Sequence, residues 1–130
     1  TDTAVQPPSD NPAALGPAGR VHMPLADSAR YLLAHAERST SYLSAESWET
    51  LHTPHFGAPY ALGWFRTDES TLWHNGSNAQ WYAEVMVDLE RQTVAAVVVN
   101  DGDMATVTGP VRAFLRELIA GEQEDVAEDE

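Results

Sequence analysis

The hydrophobic period of the chain changes twice along its length. After residue 24, Leu25, Ala29, Leu32, Leu33 and Ala36 recur at three- and four-residue spacing, which marks one apolar helix face. Pro24 and Asp27 stand near its start, where a missing donor is tolerated and a negative charge is favoured. LSAESWETL predicts a second, shorter helix: Ser44 can cap it, Glu46 falls in its first turn, and Leu43 and Trp48 are placed as a hydrophobic staple. The segment from His52 to Pro54 should end it. From residue 60 the helical period disappears. YALGWF at 60–65, TLWH at 71–74, the alternating run from Trp81 to Leu89 and VAAVVVN at 94–100 read as strands separated by TDES, GSNAQ and ERQ. Connections this short make neighbouring strands antiparallel.

In the third of these runs Trp81, Ala83, Val85, Val87 and Leu89 share one face, and Tyr82, Glu84, Met86 and Asp88 share the other. The fourth run is almost wholly apolar, which suits a central strand covered on both faces. Beyond Asn100, the residues Val107, Val111, Phe114, Leu115 and Leu118 return to helical spacing, with Pro110 either starting that helix or kinking it. The pattern as a whole predicts an α+β fold, with an antiparallel sheet of three to four strands, a C-terminal helix on one face and the two preceding helices to the side. Residues 1–24 read as an extended Pro/Gly-rich arm, 25–119 as the folded part, and 120–130 as an acidic tail too poor in apolar residues to pack and expected to be disordered.

Composition narrows the function classes. The net charge is -13, and six carboxylates after Gly121 account for part of it, leaving -7 on the body. Such a surface repels phosphate backbones and argues against a nucleic-acid partner. No apolar run is long enough to cross a bilayer, so no membrane span is expected. Without cysteine there is neither a disulfide nor a thiolate metal site. A cysteine-free chain suits a cytoplasmic or a periplasmic or secreted setting equally. All seven basic residues are arginines, and there is no lysine.

Five histidines raise the question of a metal. His52 and His55 are close, but Pro54 lies between them, no acidic third ligand stands at a regular spacing and no HExxH pattern occurs. No metal is expected, and His22 and His35 read as surface or interface residues. GPAG at 16–19 is too short for a phosphate loop and lacks its lysine, so it reads as a turn, and no cofactor is expected. Among the four tryptophans, Trp48 fits a staple and Trp64 a core, whereas Trp73 and Trp81 flank the HNG segment and are the better candidates to line a cleft, although packing is the favoured reading for them too. His74 at a strand end, one residue before Gly76, can aim a proton carrier into a cleft while the glycine lets a substrate approach the backbone. HxG by itself also ends many strands with no catalytic role.

GPAGRVHMPLADSARYLLAH, YLSAESWETLHTPH, YALGWF and HNGSNAQWYAEVMVDLERQTVAAVVVND, in that order, together resemble the C-terminal third of the serine β-lactamase and penicillin-binding-protein superfamily, in its class C and esterase branch. The resemblance runs from about Asn11 to Leu118, with Asn100 ending the return strand as in the family, and departs from it at Arg20, where a glycine is common. It implies that His74 and Gly76 are the basic residue and glycine of a Lys/His-x-Gly triad, and that Asn75 takes the variable middle place. The Ser77 backbone N–H then becomes an oxyanion donor, and Asn75, Asn78, Trp73 and Trp81, which surround this segment along the chain, are the candidate substrate-binding residues. The implied reaction is acyl transfer from an ester, amide or β-lactam through a serine-bound intermediate.

The family's nucleophile and base come from a Ser-x-x-Lys motif, which a lysine-free chain does not hold. Tyr42-Leu43-Ser44 matches the letters of the family's third motif but falls between two C-terminal elements. The expectation is therefore a C-terminal hydrolase fragment, inactive alone, that pairs with a missing N-terminal catalytic portion or self-associates. Two other readings stay open: a non-catalytic interaction module using an uncovered sheet face, and a regulatory fragment acting through its acidic tail.

Overall fold

The computed structural model describes residues 11–121; the first ten residues of the arm and the tail from 122 onward lie outside them. Four antiparallel strands stand in the order β1-β2-β3-β4: Phe65–Arg66, Thr71–Ser77, Tyr82–Asp88 and Thr93–Val99. Helix α2 (Leu25–Glu37) and the shorter α3 (Ala45–His52) precede the sheet, and α4 (Met104–Gly121) follows it. Part of the expected arm is ordered, as a 3-10 turn at Ala13–Leu15 running into a one-turn helix α1 at Gly16–Gly19. GPAG is thus that helical turn rather than a simple reverse turn.

Helix α2 starts at Leu25 after Pro24 and ends where Arg38 takes a left-handed conformation, φ 49°. Helix α3 is capped by Ser44, whose hydroxyl accepts from Ser47 N at 3.1 Å, and it stops at His52. Both follow the expected boundaries. The sheet differs in one layer. Leu32 and Ala36 of α2 pack with Trp64, Leu72, Val87 and Leu89 on one face, while Val111, Leu115 and Ile119 of α4 pack with Tyr82 and Met86 on the other. Helix α2 therefore covers the face opposite α4 instead of lying to the side.

Covering both faces explains the composition of β4 and corrects its place. Its side chains are sheltered by α2 and α4, yet it is the last strand of the sheet among the described residues. An all-apolar strand reports that both faces are covered and says nothing about its edges. Pro110 lies inside α4, and the buried stripe of that helix is Val111, Leu115 and Ile119, with Phe114 and Leu118 exposed beside it.

The run at 60–65 is mostly not a strand. Ala61 N bonds Trp64 O at 2.7 Å and Gly63 has φ +90°, so YALGWF forms a tight turn that returns the chain into the two-residue β1. A glycine is needed there because that conformation crowds a β-carbon. The turn presses Trp64 into the core, 4% exposed.

His35 is not a surface residue. It is 4% exposed and His52 2%; His35 Nδ1 and His52 Nε2 lie 2.9 Å apart, and the His35 ring meets Tyr31, Trp48 and Trp64 edge-on. His52 points inward, while His55 Nε2 is occupied by Thr50 O at 2.7 Å. A 2.9 Å contact between two imidazoles needs one N–H and one lone pair, so the two rings are not both protonated. Burial, and then the neighbouring His52, lower His35 to about 4; burial, then Arg38 and Arg66, lower His52 to about 4.

The unfolded chain binds protons on these rings below 6.5 and the native chain only near 4. The stability they contribute is present above 6.5 and is lost as pH falls toward 4. Denaturant titration is expected to show a loss on the order of 3 kcal/mol for each histidine across that window, and His35→Phe is expected to reduce it. Asp68 and Asp88, lowered below 3.8 because hydrogen bonds outweigh the raising effect of burial, act at lower pH. An equal slope in His35→Phe would show that the pair is not its source.

Candidate functional site

Strand β2 carries the candidate residues, and its pleat divides them. Leu72 enters the core on the α2 side and Trp73 packs on the α4 side, so alternation sends His74 and Gly76 to the α2 face and Asn75 and Ser77 to the α4 face. A β-carbon built on Gly76 would meet nothing within 4 Å. The space above this glycine on the His74 face is open. Strand β1 pairs only Leu72 and Trp73. Beyond them the outer edge of β2 has no strand neighbour among the described residues and presents alternate N–H and C=O groups.

His74 is half-buried, and burial lowers its pKa while a backbone hydrogen bond at Asn75 partly restores it. Its Nε2 lies 3.3 Å from the Tyr60 hydroxyl, and its ring is 6.2 Å from that of Phe65. The imidazole is thus neutral at neutral pH and set in an aromatic corner.

A family model described as Beta-lactamase matches residues 1–118. The chain belongs to the beta-lactamase family. No curated protein and no solved structure matches it.

In this beta-lactamase-family chain, the other residues singled out from the sequence are drawn into structure around β2. Ser77 Oγ donates to Gly102 O at 2.9 Å and accepts from Ala79 N at 3.0 Å, so its hydroxyl is committed to the backbone. Asn78 Oδ1 accepts from Gln80 N and Trp81 N at 3.2 and 2.9 Å, shaping the turn that leads into β3. Ala79 sits in that turn at φ 72°, a conformation costly for a residue with a β-carbon. Trp81 is 51% exposed at its end.

Trp73 and Asn75 face away from His74. Trp73 stacks on Phe65 at 4.3 Å and carries the Arg112 guanidinium 4.1 Å from its ring centroid. Asn75 Nδ2 donates to Tyr82 OH at 2.9 Å, and Tyr82 OH in turn donates to Glu84, which is fully buried. Arg112 Nε closes the chain with a 2.6 Å bond to Glu84 Oε1. This buried polar network lies between the sheet and α4, with no unpaired buried side-chain atom among the described residues. Burial, then the bond to Glu84, raises Tyr82.

Two residues absent from the sequence-based site belong beside it. Tyr60 reaches His74 only because the Gly63 turn folds the chain back, and a strand reading of YALGWF conceals that. Gly102, just past β4, packs so closely on the β2–β3 turn that a β-carbon would lie 2.2 Å from the Ala79 carbonyl carbon. The pairing of Asn100-Asp101-Gly102 with HNGSNAQW along the chain was the available signal. Gly102→Ala is expected to push the two loops apart and cost roughly 1–3 kcal/mol, read by denaturant unfolding; a variant as stable as the parent would show that the loops are not in this contact.

Proposed function

We propose that the chain supplies the His-x-Gly wall of a serine acyl hydrolase and that a segment bearing Ser-x-x-Lys supplies the nucleophile. The observation that carries this reading is the pairing of His74 and Gly76 on one face of an open-edged strand, with empty space above the glycine. A planar ester or amide laid along that edge has its carbonyl beside the β2 backbone. As the serine oxygen adds, the carbonyl oxygen becomes an oxyanion, and a fixed backbone N–H such as that of Ser77 stabilises it without reorganisation. His74 stands beside the reacting carbonyl as the basic residue and exchanges a proton with the attacking or leaving oxygen. Water then repeats the attack on the acyl-serine ester and releases the acid.

Ser77 does not replace the missing nucleophile, because its hydroxyl is held by Gly102 O and Ala79 N. Completion of the unit has surfaces to use: the outer edge of β4, the half-exposed Val98, and Phe114 and Leu118 on α4. Apolar groups in such numbers beside an open sheet edge favour a covering segment or a second copy of the chain.

Joined to a Ser-x-x-Lys segment, the chain is expected to hydrolyse a chromogenic ester, and His74→Ala to lower kcat/KM by roughly 100-fold or more. Unchanged kinetics would remove His74 from the mechanism. The chain alone is expected to resist a serine-directed fluorophosphonate; covalent labelling would place a nucleophile within it.

A further inference from the structure

The Tyr60 hydroxyl lies 3.3 Å from His74 Nε2, and its approach is fixed from two sides. On the backbone side, Tyr60 bridges Phe65, Arg66 N bonds Pro59 O at 2.9 Å, and the Ala61–Trp64 turn closes between them. On the side-chain side, the Tyr60 ring meets Phe65 edge-on at 4.7 Å, and Phe65 is stacked on Trp73, the residue preceding His74 in β2. The phenol is therefore carried on the same aromatic stack that β2 itself carries. A tyrosine merely filling space has no need of its oxygen at that position.

The chemistry of a neutral imidazole decides which group donates. A neutral imidazole has one N–H and one lone pair. A phenol O–H 3.3 Å from a neutral imidazole nitrogen is matched by that nitrogen's lone pair, which makes Nε2 the acceptor.

We propose that Tyr60 is a positioning residue for His74: its hydroxyl donates to Nε2, holds the ring as the Nδ1–H tautomer and orients the basic nitrogen. This rests on the reading of His74 as the basic residue of the acyl-transfer site. When Nε2 takes a proton the contact reverses, the imidazolium donating and the phenol oxygen accepting. The phenol hydrogen is then free to turn to a second acceptor, so a proton taken up by the half-buried ring is matched by a donor displayed outward, with no movement of heavy atoms.

Nitrogen-15 NMR of the histidine rings in the chain as it stands tests the pair, with His74→Gln assigning the signal. The parent is expected to show one His74 tautomer, Nδ1–H, with a hydrogen-bonded Nε2. In Tyr60→Phe, which keeps the ring contact with Phe65, the Nε2 signal is expected to shift to that of an unbonded acceptor. Both tautomers should then appear. An Nε2–H tautomer in the parent, or a His74 signal that ignores Tyr60→Phe, would overturn the proposal. The outcome is independent of the hydrolase reading: a tautomer shift in Tyr60→Phe beside an ester hydrolase indifferent to His74→Gln would uphold the pair and remove its catalytic purpose.

Discussion

The register of β2 against β3 decides what the molecule can do. His74 lies opposite Val85 and Gly76 opposite Ala83, so Leu72 enters the α2 core and Trp73 the α4 core. A slip of one residue would exchange the faces of every side chain in the strand. It would drive His74 toward α4 and bring Trp73 and Asn75 out over the open side. Register is strongly specified only where burial distinguishes the two faces, and here both cores do so: Leu72 with Val87 on one side, Trp73 with Met86 on the other.

The polar network under α4 reinforces that choice. Asn75, Tyr82, Glu84 and Arg112 are linked in sequence from β2 through β3 to α4, and Arg112 lies over Trp73. Loss of Arg112 would strand the buried Glu84 carboxylate, and breaking such a pair commonly costs about 3–5 kcal/mol. The network therefore works less as added stability than as a restriction on alternative packings, since only this register joins all four groups. On the opposite face the neutral His35–His52 pair fixes α3 against α2 in the same manner. The site strand is thus held on the α4 side by the polar network and on the α2 side by hydrophobic contact at Leu72, with its outer edge and the space over Gly76 left open.

Much of this was legible in the sequence where a short-range rule governs. Helices α2 and α3 follow from the spacing of Leu25 to Ala36 and from the Ser44 cap, and the faces of β3 follow from alternation. The candidate residues lie within one continuous segment, so their proximity required no knowledge of the fold. What sequence reading lost depends on distant partners. The burial of His35 is set by His52, and the edge position of β4 by strands that do or do not pair with it. The contact of Tyr60 with His74 is set by the turn at Gly63. Trp73 and His74 are adjacent in sequence, yet the pleat sends them to opposite faces, and Trp73 stacks there with Phe65 and Arg112.

The central claim is that β2 offers His74 and Gly76 on an open face and keeps Asn75 on a closed one. The absence of cysteine from the chain makes this directly measurable, since one introduced thiol reports alone. Single-cysteine variants at Gly76 and Asn75 would be compared for their rates of reaction with a small thiol reagent under native conditions. Gly76→Cys is expected to react at nearly the rate of the unfolded chain and to be protected once a nucleophile-bearing segment is bound, while Asn75→Cys stays slow. Equal rates at the two positions, or the reverse order, would contradict the register and with it the site.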